Sequence, residues 1–252
     1  MMVEIIPTIN VDSFEEVERR IKLVEPYTKW AQIDVADGTF TKNTIWHNAP
    51  DLLNLKTKLS IEVHLMIAPI EKRIENWLLP SVVKRIIFHI EAGNDIDFVV
   101  EKCRAAGIEP GIAINPDTSW TRLVPHIERV GPVRKTANDV PDAGDAKETQ
   151  AKGLSNGVNF FQILCVHPGL PGQEFQPQVL HSIRHLRKQC PQCIIEADGG
   201  MKVGVVKKVV EAGANAIAAA SAIFSQPDIK KAIEDLRKEA LTICSTPSVE
   251  HS

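Results

Sequence analysis

Strand-like and helix-like stretches alternate eight times along the chain, and that rhythm constrains the fold more than any single residue does. VEIIPTI precedes the amphipathic SFEEVERRIKLVEP, WAQIDVAD precedes APDLLNLK, SIEVHLMI precedes EKRIENWLL, and RIIFHIEA precedes DIDFVVEKCRAAG. The second half repeats the scheme with PGIAIN and TSWTRLVPHIERV, NFFQILCV and QPQVLHSIRHLRKQ, CIIEAD and KVGVVKKVVEAG, and AIAAASAIF and DIKKAIEDLRKEALT. Ser13 and Glu16 have the spacing of a helix-opening capping box. Strands that are apolar on both faces and separated by helices imply a parallel sheet covered by helices. Eight such units, each about thirty residues long, predict a closed (β/α)8 TIM barrel, a single domain over residues 1–242. A doubly wound open sheet is the alternative, but no GxGxxG follows the first strand.

The chain of 252 residues, 44% hydrophobic and 24% charged, can bury a large core. A formal charge of −3 gives no reason to expect nucleic acid or an anionic membrane as partner. No stretch approaches the roughly 20 apolar residues of a membrane span. The start MMVEIIPTI lacks the basic, apolar, small-residue order of a signal peptide, so a cytoplasmic protein is expected. Cys190 and Cys193 make a CPQC spacing, but between a helical run and a strand rather than at a helix start. No second pair accompanies them, so CPQC reads as a loop rather than a redox or zinc site. Cys165 lies inside an apolar run and reads as core.

One segment, at about 131–157, breaks the rhythm: GPVRKTANDVPDAGDAKETQAKGLSNG. It joins a helix to the next strand and is therefore expected on the barrel face opposite the site, as a polar surface excursion able to form a short helix or to touch another subunit. Residues 243–252 read as a loose C-terminal tail.

The chemistry gathers at the ends of the apolar runs. In WAQIDVADGTF, Gln32, Asp34 and Ala36 share one strand face, and Gly38 permits the turn that ends the run. A buried carboxylate needs a partner. Candidates stand on the same kind of face elsewhere: Glu62, His64 and Met66; His89 and Glu91; Glu196 and Asp198. The carboxyl ends of barrel strands form the functional face, and Asp34, His64, His89, His167 and Asp198 fall there. Such a set suits a metal or an acid–base site, with His89 and Glu91 supporting a ligand histidine. His181 and His185 read as part of a solvated outer helix face. Glycine turns offer backbone N–H groups to an anion, here Gly172, Gly199 and Gly200, with Ser221 adding a hydroxyl.

In order along the chain, PTIN, IDVADGTFTKN, EVHLMI, FHIEA, AINPDT, VHPGLPGQEF, EADGG and ASAIF resemble the ribulose-phosphate 3-epimerase family. The resemblance covers nearly the whole length outside 131–157. It implies inversion at C3 of a ketose phosphate, ribulose 5-phosphate to xylulose 5-phosphate, with Asp34 and Asp198 exchanging acid and base roles around a metal-stabilised enediolate. It also implies one divalent ion, held by Asp34, His64 and Asp198. The fourth ligand position, a histidine in the family, is Gln32 here. An amide oxygen is a harder, weaker donor than imidazole. The ion is accordingly read as zinc, iron(II), manganese, cobalt or magnesium, with water or His167 completing the set, or no ion at all. By the same resemblance Thr8, His64, Met66, Gly172, Gln173, Gly199, Gly200 and Ser221 contact a small phosphorylated sugar. Ala36 and Leu164 stand where the family has methionines, and Pro171 and Ala220 where it has glycines. Two further readings stay open: another phospho-sugar barrel enzyme, although QIDVADG carries no lysine, and a non-catalytic descendant that binds a phosphometabolite or a protein. A homo-oligomer is compatible with all three.

Overall fold

The computed structural model describes residues 3–128, 157–169 and 173–241. Eight strands close into a barrel in chain order, every neighbouring pair parallel. They are β1 (Glu4–Ile9), β2 (Trp30–Ala36), β3 (Ser60–Met66), β4 (Val83–His89), β5 (Glu109–Ile114), β6 (Phe160–Leu164), β7 (Ile194–Asp198) and β8 (Ala216–Ala219). Around them lie α1 (Phe14–Val24), α2 (Ile96–Ala105), α3 (Val179–Gln189), α4 (Val206–Ala212), the short α5 (Ser221–Phe224) and α6 (Ile229–Leu241). Among the described residues no helix is long and apolar enough to cross a membrane.

The two-residue repeat of the strands divides each run between two environments. Outward residues such as Ile33, Val63, Phe88, Ile112, Ile163 and Ile195 join one continuous core with the helices. Inward residues Ile87, Ala113, Phe160 and Leu164 form a separate small cluster inside the barrel. Most of the remaining inward positions are polar and buried: Gln32, Asp34, Glu62, His64, Arg85, His89, Gln162, Glu196 and Asp198. Strand register then stacks them in levels. Gln32 stands opposite Glu62 and, on the far wall, Gln162 opposite Glu196; one pleat higher, Asp34 stands opposite His64 and Leu164 opposite Asp198.

Several expected helices are instead short 3₁₀ turns: Ala49–Asn54, Ile70–Lys72 with Ile74–Trp77, and Trp120–His126. Prolines explain them. Pro50 opens the first, Pro69 and Pro80 bracket the second, and Pro125 sits inside the third; each removes an N–H donor and restricts the residue before it. The capping box on α1 is half formed. Ser13 Oγ accepts from the Glu16 N–H, but the Glu16 carboxylate turns to Arg19 and Arg20 instead of returning to the cap.

CPQC does form the turn between α3 and β7, but its two cysteines are joined as a disulfide and are not merely loop residues. Both are fully buried, and Arg187 donates to the carbonyls of Cys190, Pro191 and Cys193 around them. Cys165 is buried as expected. Almost all of the 131–157 excursion and the 243–252 tail lie outside the described residues, as do Pro171 and Gly172.

Candidate active site

The strand carboxyl ends open into a cavity of about 340 Å³. Thr8, Asp34, His64, Met66, Gln173, Asp198, Gly199, Gly200 and Ser221 all line it; Gln32 lies beneath its floor, and Gly172 falls outside the described residues. Met66 is buried with Ala36 and Ile45 at one wall, and Leu164 lines another. Ala220 lines the cavity with φ −98°, so the backbone there accepts a Cβ without strain.

At the floor, His64 Nδ1 lies 3.2 Å from Asp34 Oδ1 and 3.6 Å from Asp198 Oδ2. Asn10, at the end of β1, donates to the other Asp34 oxygen at 3.1 Å. Burial, with the Asp34 charge beside it, pushes Asp198 up to about 7. Burial alone would lower His64, but its hydrogen bond to Asp34 and the charges of both aspartates outweigh that and raise it.

Behind His64 stands a second histidine. His64 Nε2 is 2.9 Å from His89 Nε2, and His89 Nδ1 is 3.3 Å from Glu91 Oε2. Burial pushes His89 down to about 4, so it is neutral at physiological pH. Glu91 is held at about 2 in spite of partial burial, by His89 and by the Asn115 N–H that binds its other oxygen. These neighbours settle the tautomers. His89 donates from Nδ1 to Glu91, accepts at Nε2 from His64, and thereby turns His64 Nδ1 toward the aspartates.

Below the floor, Arg85 donates to Glu62 and Glu109, and its guanidinium lies over the Phe160 ring at 3.9 Å and the Trp30 ring at 4.3 Å. Burial raises Glu62 despite Arg85, and burial with the nearby Glu62 and Asp198 charges raises Glu196 further. Glu62 Oε1 and Glu196 Oε2 are buried without a hydrogen-bond partner among the described residues, a setting that favours the protonated carboxyl.

The far end of the cavity is lined by Gly199, Gly200, Ser221, Ser225, Phe224 and Arg20. Gly199 has φ +97° and a Cβ there would lie 2.4 Å from Val166; Gly200 has φ +68° and meets the Phe175 backbone at 2.9 Å. Only glycine lets the chain turn this tightly beside a ligand. Arg20 comes from α1, its Nε bound to Glu16 at 2.9 Å and its guanidinium 4.9 Å from the Phe224 ring centre.

The residues fit a divalent ion. Ligand atoms of Asp34, His64 and Asp198 all lie within 4.8 Å of one another, and an imidazole with two carboxylates leaves coordination positions open for a substrate. Gln32 faces the same point with its amide nitrogen, 2.8 Å from Asp34 and 3.1 Å from Asp198. His167 does not join the cluster; it sits half exposed at the rim, 3.6 Å from Asp117. His181 and His185 lie outside, stacked beside Trp120.

Asn10, Arg20 and Gln162 were not singled out from sequence. Asn10 ends a strand in PTIN, a position that could have drawn notice. Arg20 is one of several charges on an amphipathic helix, and Gln162 is one polar letter inside NFFQILCV; neither carries a local signal.

Known proteins resemble the chain over most of its length. The model of the ribulose-phosphate 3 epimerase family matches residues 4–135 and 146–224. A Synechocystis ribulose-phosphate 3-epimerase is 33% identical over 239 residues, covering 92% of this chain and 91% of that protein. The cytoplasmic isoform from rice (Oryza sativa subsp. japonica) is 28% identical, covering 88% and 86%, and the chloroplastic enzyme of Arabidopsis thaliana is 29% identical, covering 92% and 75%. Among solved structures, a 3-hexulose-6-phosphate synthase superposes with a TM-score of 0.62 over 94% of this chain and 99% of that one, at 15% identity, a likeness of fold. With the family model matched across the barrel and a relative a third identical over nearly the whole length, the chain belongs to the ribulose-phosphate 3-epimerase family.

Proposed function

We propose that the protein inverts C3 of a ketose phosphate, interconverting ribulose 5-phosphate and xylulose 5-phosphate, in the cytoplasm. The observation that carries this reading is the pairing of Asp34 and Asp198 at the floor of one cavity, and burial pushes Asp198 up to about 7, where it can both give and take a proton. Epimerisation beside a ketone needs one group to remove the C3 proton and another to return a proton to the opposite face. Asp34 as carboxylate takes the C3 proton while the C–H electrons pass toward the C2 carbonyl, leaving an enediolate. Asp198 then delivers its own proton to C3 from the other side and the carbonyl re-forms. In the reverse direction the two exchange roles. His64, oriented by His89 and Glu91, hydrogen-bonds Asp34 and holds its position. A divalent ion bound by Asp34, His64 and Asp198 would supply positive charge beside the substrate oxygens, lowering the acidity barrier at C3.

The polar far end supports a phosphorylated rather than a neutral sugar. Glycine turns, two serine hydroxyls and the Arg20 cation line it, and Arg20 adds fixed charge to the cavity that Ala220, in place of the family's glycine, also lines. With D-ribulose 5-phosphate in D₂O, the wild-type protein should incorporate deuterium at C3. Asp34→Asn and Asp198→Asn should each lower that exchange by 10³-fold or more, on the order expected for loss of a catalytic acid or base. Near-normal exchange in either variant would refute the two-carboxylate scheme.

A further inference from the structure

Beneath the aspartate pair lies a buried amide for which the reaction scheme has no use. Gln162, on β6, has Nε2 3.0 Å from Gln32 Oε1, 2.8 Å from Glu196 Oε1 and 3.1 Å from Asp198 Oδ2, so its two N–H groups are shared among three acceptors, while its own Oε1 is buried without a partner among the described residues. Gln32 carries the bond onward, its Nε2 reaching both aspartates. Both glutamines are 0% exposed, so these neighbours alone decide which way each amide faces. Turned the other way, Gln32 would set an amide oxygen against two carboxylate oxygens and an amino group against the Gln162 amino group. Gln162 therefore selects the end of Gln32 that the aspartates meet.

We propose that Gln162 is a positioning residue for the aspartate pair: by binding the Gln32 oxygen it keeps the Gln32 NH₂ between Asp34 and Asp198, so that an amide joins the two carboxylates and a divalent ion has to compete with it. The inference rests on reading Asp34, His64 and Asp198 as the cation-holding groups, and is independent of which sugar is turned over. The reason is one of lone pairs. Asp34 Oδ1 and Asp198 Oδ2 are the oxygens nearest His64 Nδ1, and both already accept from Gln32. An ion using those oxygens must push the amide aside or reverse it, and reversal sets its NH₂ against Gln162. Without Gln162, Gln32 Oε1 has no donor in a buried setting. Turning that oxygen to an ion then gains a partner instead of losing one.

The test is titration of Mn²⁺ into chelator-stripped protein by calorimetry, without substrate. Gln162→Met removes the amide at similar volume, and Gln162→Asn keeps polarity but is too short to hold Gln32. Both should bind Mn²⁺ more tightly than wild type, by roughly fivefold to a hundredfold, the worth of one buried hydrogen bond. A purely structural role would weaken binding or leave it unchanged, and either result in a variant with a wild-type circular dichroism spectrum overturns the proposal. If neither variant folds, the wild-type protein decides. Its Gln32 side-chain ¹⁵N–¹H signals should move on saturation with diamagnetic Zn²⁺ as the amide leaves the aspartates, and signals that stay fixed overturn it. A wild-type protein without epimerase activity, with the affinity pattern intact, would sink the functional reading alone.

Discussion

Asp198 links the chemistry of the site to the stability of the fold. Its ordinary value is 3.8 and in the folded protein it stands at about 7, so between these values the folded state keeps a proton that the unfolded chain has released. The stability attached to this group is therefore complete below about pH 4 and is lost as pH rises through 7. In chelator-stripped protein, wild type should be less stable to urea at pH 8.5 than at pH 5.5. Asp198→Asn should remove about 2 kcal/mol of that difference; equal slopes in both proteins would contradict the assignment. Arg20 gives a second expectation at the same scale. Arg20→Gln should raise KM for a phosphorylated ketose about tenfold with kcat little changed, since it touches the far end of the cavity and not the aspartates. Asp34, His64 and Asp198 were legible from strand-end spacing together with family resemblance. Arg20 and Gln162 were not, because a charge on a helix and a lone amide in an apolar run look the same whether or not the fold turns them toward a cavity.

The strands were the readable elements, since each one needs an apolar outer face and signals it every second residue. The outer layer was less so: APDLLNLK, EKRIENWLL and TSWTRLVPHIERV have helix-like composition, but their prolines cut them into 3₁₀ turns. The turn after β7 was legible as a glycine pair but not as a steric necessity. There Gly199→Ala should cost roughly 2–4 kcal/mol in urea denaturation, because it adds strain at positive φ to a clash with Val166. A loss under about 0.5 kcal/mol would mean that the turn relaxes freely. The α1 helix shows how an element's surface can serve the site: Glu16, expected to close a capping box, instead holds Arg20, which lines the cavity.

For the whole molecule, a count of eight repeats was enough to predict closure, because eight parallel strands fill their own interior. Sequence could not show that this interior would be polar, since inward positions are revealed as neighbours only when the ring closes. Arg85 is central there, serving Glu62, Glu109 and two aromatic rings. Arg85→Met should lower stability by about 3–5 kcal/mol, because it leaves buried carboxyls uncompensated. Adding Glu62→Gln should recover part of that loss, and equilibrium urea curves of the single and double variants would measure the coupling.

Gln162 touches Glu196 below and Asp198 above, and so ties foundation to workbench. An engineer who hardened this barrel by filling its lower interior with oily side chains could well obtain a tougher protein. The same repacking would unseat the amide that faces the aspartates, so durability and metal affinity here cannot be tuned separately.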